Sequence, residues 1–123
     1  MRLPINVADQ DPSLAVWWAT RVECISALTR RHREGRLTTV AEQQARRRVA
    51  ALAAAWSEVS PSEPLRQRAE RLLGVHSLRA ADAFRLAAAL LCSRGDTSSH
   101  AIVSFDERLR EAARREGFRL EPN

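Results

Sequence analysis

Apolar residues form two continuous runs in this chain, LAVWW at residues 14–18 and AIVSF at residues 101–105. Short apolar runs of this kind are typical of strands that are covered on both faces, as in parallel sheets. Shorter segments at residues 56–59 and 118–120 are candidates for two further strands. The hydrophobic pattern therefore predicts four short strands.

The segments between these strands carry apolar residues at the spacing of one helix face. Thr20 and Glu23, and again Thr39 and Glu42, have the spacing of a capping box, which begins a helix. Ser77 is a candidate cap for a later helix. The predicted helices run from residue 20 to a stop at Gly35 and over residues 39–55, 65–73, 78–92 and 107–116, with Gly74 and Gly117 ending two of them.

The alternation of strands and helices predicts an α/β layer fold with a mainly parallel sheet. The chain has 123 residues, of which 45% are apolar, and this is enough for one buried core. We therefore expect a single domain over residues 1–123. Residues 1–13 contain Pro4, Pro12 and several polar side chains, and they are predicted to be irregular, with residues 3–7 as a loop or a frayed strand.

Arginine supplies all 20 basic residues, and the formal net charge is +5. The absence of lysine excludes mechanisms that need an ammonium group, such as the P-loop lysine or Schiff-base chemistry. The planar guanidinium groups suit bidentate contacts to phosphate, which favours an anionic partner such as nucleic acid or an acidic peptide. The same arginine bias is also typical of a GC-rich genome.

The two cysteines, Cys24 and Cys92, lie far apart in predicted helices. This placement favours small buried side chains in a reducing cytosol over a disulfide. No run of about 18 apolar residues occurs, and the N-terminus lacks a basic region followed by an apolar stretch. We therefore expect a cytoplasmic protein without a membrane partner.

Two acidic residues follow the two main predicted strands. Glu23 lies in the first turn of the helix after LAVWW, and Asp106 comes directly after AIVSF. Ligands of open parallel sheets bind beyond the carboxyl ends of the strands, so both acids are expected at one edge of the sheet. Each also has a simpler interpretation, Glu23 as part of a capping box and Asp106 as an N-cap.

A third acid, Asp82, interrupts a helical segment that is apolar nearly all round and is therefore expected to be buried. At 100° per residue, Arg79 and Arg85 lie within about 60° of Asp82 around the helix. One interpretation is an Arg–Asp–Arg ladder of ion pairs on an exposed seam. The other is a carboxylate that is delivered to a metal site.

Three carboxylates without a cysteine or histidine motif suit a hard cation, Mg²⁺ or Mn²⁺, whose coordination is completed by water and substrate phosphates. Such a cation lowers the pKa of a bound water and stabilises the leaving oxygen of a phosphodiester. Arginine side chains nearby would hold the nucleic acid strand. The acids therefore point to metal-dependent phosphodiester hydrolysis.

Three segments in order also resemble a known family. HSLRAADAFRLAAALL at residues 76–91 and AIVSFDERLREAARREGF at residues 101–118 resemble the C-terminal half of PIN domains, and in particular the VapC-like toxins of bacterial toxin–antitoxin pairs. TRVECISAL at residues 20–28, directly after LAVWW, resembles the segment that carries the second acid of the family. The resemblance covers about residues 11–121.

The resemblance implies a PIN-like three-layer fold, with a mainly parallel central sheet flanked by helices, and a magnesium-dependent endoribonuclease that hydrolyses RNA. By position, Glu23, Asp82 and Asp106 match the second, third and fourth acids, which bind Mg²⁺ or Mn²⁺, and Ser104 matches the hydroxyl residue before the last acid. All four are thereby predicted catalytic residues. The expected partners are the RNA substrate, a VapB-like antitoxin and a second copy in a homodimer.

The chain departs from the family at its N-terminus. PIN domains begin with a strand that ends in an acid, and only thirteen residues precede Leu14 here, so the usual first strand and first acid are expected to be missing. Asp9 is too close to Leu14 for a parallel connection. We therefore expect the chain to cleave RNA slowly or not at all, and the alternative is a catalytically impaired relic that binds antitoxin, RNA or itself.

Overall fold

The computed structural model describes residues 15–104 and 106–122 of the chain, and the predicted irregular segment 1–13 lies outside them. The described residues combine helices with short strands, so the predicted mixed α/β class is confirmed. A single 3₁₀ turn, Thr97–Ser99, precedes the third strand. The elements are β1 (Ala15–Trp17), α1 (Thr20–Arg33), α2 (Thr39–Ala55), β2 (Ser57–Val59), α3 (Glu63–Val75), α4 (Ala80–Ser93), β3 (Ala101–Val103), α5 (Glu107–Arg115) and β4 (Arg119–Glu121).

The four strands form two parallel pairs. Strand β1 pairs with β2, with Val16 opposite Glu58, and β3 pairs with β4, with Ile102 opposite Leu120. Within residues 15–104 and 106–122, β1 and β3 belong to different sheets. The expectation of one central sheet is therefore not met by the described residues, although every pairing among them is parallel, as the buried apolar runs predicted.

Two apolar clusters hold these elements together. The smaller one packs β1, α1 and α2 around Val16, Leu28 and Val49, and the larger one joins α3, α4, α5 and β3. Trp17 of β1 stacks on Phe84 of α4, with ring centroids 4.7 Å apart and ring planes 8° from parallel. This contact links β1 to the larger cluster, because α4 packs against both β1 and α3.

Three predicted helix ends differ from the structure. Helix α1 has Ala19 at its N-cap without a side-chain bond, so the predicted Thr20–Glu23 capping box is wrong. Helix α4 begins after Arg79 rather than after Ser77, again without a side-chain cap. Gly74 does not end α3, which continues to Val75. In each case contacts with the rest of the fold decide the position of the helix end, and local signals do not.

Side chains cap α5 and α2, but the predicted Thr39–Glu42 capping box is wrong, because the N-cap of α2 is Thr38. Asp106 caps α5, as predicted, by accepting a hydrogen bond from the backbone N–H of Leu109 at 3.0 Å. Thr38 caps α2, one residue before the predicted threonine, by accepting from the N–H of Ala41 at 3.1 Å. Asp106 therefore has the structural role that its position suggested, and any ligand role would be additional.

Gly117 connects α5 to β4 in a left-handed backbone conformation, with φ at 96°. A Cβ at this position would collide with the side chain of Thr97. We expect Gly117→Ala to lower the free energy of unfolding by about 1 kcal/mol or more. Gly74→Ala is the matched control, since it lies inside α3 with open space around it and should raise stability by about 0.5–1 kcal/mol. Urea denaturation measures both, and a Gly117→Ala variant as stable as the wild type would contradict the assignment.

None of the helices in the described part of the chain is long and apolar enough to cross a membrane.

Candidate functional site

Glu23 enters the site from the first turn of α1, directly after β1. Its side chain is 19% exposed, and its Oε1 accepts a hydrogen bond from Nε of Arg85 at 3.3 Å. The neighbouring Cys24 is fully buried in the smaller apolar cluster, and burial raises the pKa of its thiol to about 11. Helix α1 therefore turns Cys24 into the core and Glu23 towards α4.

Asp82 lies in the first turn of α4, and its side chain is 15% exposed. Its Oδ1 accepts a hydrogen bond from Nη1 of Arg85 at 2.9 Å, so one guanidinium bridges Asp82 and Glu23. The two carboxylates therefore share one guanidinium as a common partner. The predicted pairing of Asp82 with Arg85 along the helix is present, and Arg85 also reaches the acid on α1.

Asp106 and Ser104 occupy the segment between β3 and α5. Ser104 Oγ accepts a hydrogen bond from the backbone N–H of Asp106 at 3.1 Å, and the carbonyl of Ser104 accepts one from Arg110 at 2.9 Å. Ser104 thus fixes the turn that presents Asp106. The negative charge of Asp106 helps to raise the pKa of Asp82, so the two carboxylates interact electrostatically.

The acids influence each other's protonation. Burial raises the pKa of Glu23, Arg85 opposes this increase, and the charge of Asp82 adds to it. Burial also raises the pKa of Asp82; the charge of Arg85 opposes this, and that of Asp106 adds to it. Both carboxyls therefore have pKa values above their ordinary ones in spite of a bound guanidinium. Functional sites commonly contain carboxylates that are partly buried next to each other, although burial of their charges costs free energy.

All four predicted site residues line one cleft of about 1010 Å³. Its walls come from β1, from one side of α1 and α4, from the end of β3 and from the first turn of α5. Besides Arg85, four arginines line the cleft and form what we call its basic rim: Arg30, Arg31, Arg79 and Arg108. The partly buried Glu23 and Asp82 form what we call its acidic floor.

The donor chemistry suits a hard cation, since the described lining of the cleft offers carboxylate oxygens and includes no cysteine or histidine. The present spacing is less favourable. Within residues 15–104 and 106–122, no group of three His, Cys, Asp or Glu side chains is arranged so that it could hold a metal ion. Arg85 accounts for part of this arrangement, because its guanidinium lies between Glu23 and Asp82.

Sequence reasoning missed the link between Arg85 and Glu23. The helical spacing of Arg85 and Asp82 is visible in the sequence, whereas Arg85 and Glu23 are 62 residues apart and meet only through the packing of β1 and α1 near α4. Helix amphipathicity gives one signal, since α4 has very few polar side chains. An arginine beside an acid in such a helix needs a partner in the fold.

A second cluster of charged groups lies away from this cleft. His76, which is buried, contacts Glu116 Oε2 through Nε2 at 2.7 Å, and Arg71 donates to Glu116 Oε1 at 3.3 Å. Burial works to raise the pKa of Glu116, but the hydrogen bonds from His76 and Arg71 outweigh it and lower the pKa. These contacts tie the end of α3 to the end of α5.

No family model matches the chain, and no curated protein matches it.

Proposed function

We propose that the chain is a magnesium-dependent endoribonuclease of the PIN, VapC-like toxin type, which hydrolyses phosphodiester bonds of RNA. One observation carries this proposal: acids from α1, α4 and the start of α5 line the same cleft at the carboxyl ends of parallel strands. Glu23 and Asp82 are also partly buried and have raised pKa values, which is a frequent property of carboxyls in functional sites.

In this proposal Glu23, Asp82 and Asp106 hold Mg²⁺ or Mn²⁺. The chemistry supplied by the cation, when bound, is a lowered pKa for a coordinated water and neutralisation of the leaving oxygen. Ser104 is a positioning residue, because its hydroxyl holds the backbone N–H of Asp106. Two of the arginines at the rim, Arg30 and Arg108, suit contacts to the phosphates on either side of the scissile bond.

The same proposal includes the finer features of the family. The proposed fold is a PIN-like three-layer arrangement, and it is supported by the parallel pairing of the strands in the described residues. The partners are then RNA, a VapB-like antitoxin and a second copy of the chain, and the protein acts in the cytoplasm. The basic rim of the cleft supports the RNA partner, since RNA is polyanionic.

A second candidate function is supported by Arg85. Because its guanidinium is bonded to two of the three acids, the cleft has a lower net negative charge than its carboxylates alone would give it. A PIN-like module that has lost cleavage and binds antitoxin, RNA or itself would tolerate this arrangement.

A cleavage assay separates the two candidates. The wild type should cleave a labelled single-stranded RNA slowly with Mg²⁺ or Mn²⁺ and not with EDTA. Asp82→Asn should reduce the rate by about 100-fold or more, because it removes a charged ligand from the reacting centre. Glu107→Gln is the matched control, since Glu107 also lines the cleft but is exposed beside Asp106, and its variant should retain activity.

The proposal fails if cleavage by the wild type is absent with both metals, or if it is equal in the wild type and Asp82→Asn. Retained binding of the same RNA without cleavage would favour the binding module instead.

A further inference from the structure

The guanidinium of Arg85 occupies the space between two of the acids. It donates through Nε to Glu23 at 3.3 Å and through Nη1 to Asp82 at 2.9 Å. The three side chains are between 15% and 24% exposed, so the bridge lies below the rim of the cleft. Both bonds use carboxylate oxygens that a divalent cation would need.

We infer that Arg85 is an intramolecular counter-ion that keeps the acidic floor of the cleft closed to divalent cations, and that a cation binds there only when the guanidinium withdraws. This inference rests on the proposed function, because it concerns the same carboxylates. It adds a property that the proposed function does not contain, namely a competition between a residue of the chain and the metal.

Electrostatics makes the two states exclusive. A guanidinium and a divalent cation that share the oxygens of Glu23 and Asp82 would lie within a few ångströms of each other, and like charges at such a distance repel strongly below the protein surface. The planar guanidinium of arginine also matches the geometry of carboxylates well. An incoming cation must therefore break strong hydrogen bonds before it can bind, and this costs free energy.

The position of Arg85 permits withdrawal. Its side chain is partly exposed and forms part of the cleft wall, so the guanidinium can turn into the open volume and be hydrated there. The α-carbon of Arg85 stays fixed meanwhile, because the adjacent Leu86 is fully buried in the core of α4. The exchange therefore requires rotation of one side chain and no movement of the helix.

Direct binding of Mn²⁺ to the full chain tests the competition without any measurement of cleavage. We expect Arg85→Gln to bind Mn²⁺ at least about 10-fold more tightly than the wild type, because no charge-assisted hydrogen bonds have to be broken first. Titration followed by the electron paramagnetic resonance signal of free Mn²⁺ gives the affinity. The Asp82→Asn variant should lose Mn²⁺ binding. The double variant, in which Asp82→Asn is combined with Arg85→Gln, should lose it as well.

Arg79→Gln is the matched control. Arg79 lines the same cleft from the same segment, and its charge acts on Asp82, but it is exposed at the N-cap of α4. Removing its charge should change the affinity for Mn²⁺ by less than about 3-fold, since an exposed charge is well screened by solvent.

Circular dichroism shows whether each variant is folded. If Arg85→Gln is not, Arg85→Met replaces it, because methionine keeps a long unbranched side chain without the charge.

The outcomes are distinct. Equal affinities of the wild type and the Arg85 variant, with binding still lost in Asp82→Asn, would overturn the counter-ion role and leave the proposed metal site intact. Failure of both proteins to bind Mn²⁺ through Asp82 would overturn the metal site and the competition together.

Discussion

Replacement of Leu86 by alanine should lower the free energy of unfolding by about 3 kcal/mol, within the range of about 2–5 kcal/mol for buried leucines. Leu86 is fully buried in the larger apolar cluster, where α4 packs against α3 and β1. The substitution removes buried apolar contacts and leaves a cavity beneath the helix that carries Asp82 and Arg85. Small domains have a total stability of about 5–15 kcal/mol, so the loss is a large part of it.

Leu73→Ala provides the comparison for this prediction. Leu73 is on α3 and 43% exposed, so its truncation should cost less than about 1 kcal/mol. Urea denaturation followed by tryptophan fluorescence gives both values. A loss below 1 kcal/mol at Leu86 would show that α4 is not packed as described.

Neutralising Asp82 should have the opposite effect on stability. We expect Asp82→Asn to raise the free energy of unfolding at pH 7 by about 1 kcal/mol, the gain that is typical when a functional group with a folding cost is removed. The raised pKa of Asp82 shows that its charged form is disfavoured in the fold, chiefly by burial, even with Arg85 beside it. Asparagine keeps a carbonyl oxygen that Arg85 can bind.

The sign of the pH dependence follows from the same shift. The folded chain holds the Asp82 proton at pH values where the unfolded chain, with an ordinary pKa of 3.8, has lost it. As the pH rises from 3.8 through the higher folded pKa, the folded state therefore loses stability, and Glu23 contributes in the same direction from 4.5 upwards. This fall in stability should be smaller in Asp82→Asn. A variant that is less stable than the wild type at pH 7 would identify Asp82 as a stabilising ion-pair partner instead.

The secondary structure was largely predictable, because the apolar runs and helical spacing reflect the burial that the fold provides. The strand in AIVSF, the cap at Asp106 and the helix after it follow one another as expected. The failures have tertiary causes. Thr20 and Glu23 form no capping box, because Ala19 is the N-cap of α1, and the carboxylate of Glu23 bonds to Arg85 instead. Helix α3 passes Gly74 and ends at Val75, next to the buried His76.

The candidate site was predictable in part. The rule for strand ends placed Glu23 and Asp106 at one edge, and the unusual polarity of Asp82 within α4 marked a third acid; these residues do line one cleft. Their electrostatic balance was not predictable. It depends on Arg85, whose second partner is distant in the sequence and becomes a neighbour only through packing.

Diffraction from crystals of the wild-type chain soaked in Mn²⁺ tests most directly whether Glu23, Asp82 and Asp106 form a metal site. We expect an anomalous difference peak in the cleft, about 2.0–2.6 Å from a carboxylate oxygen of Asp82, with the guanidinium of Arg85 turned away from that oxygen. A cleft without a peak, with Arg85 still bonded to Glu23 and Asp82 while Mn²⁺ binds elsewhere on the protein, would contradict it.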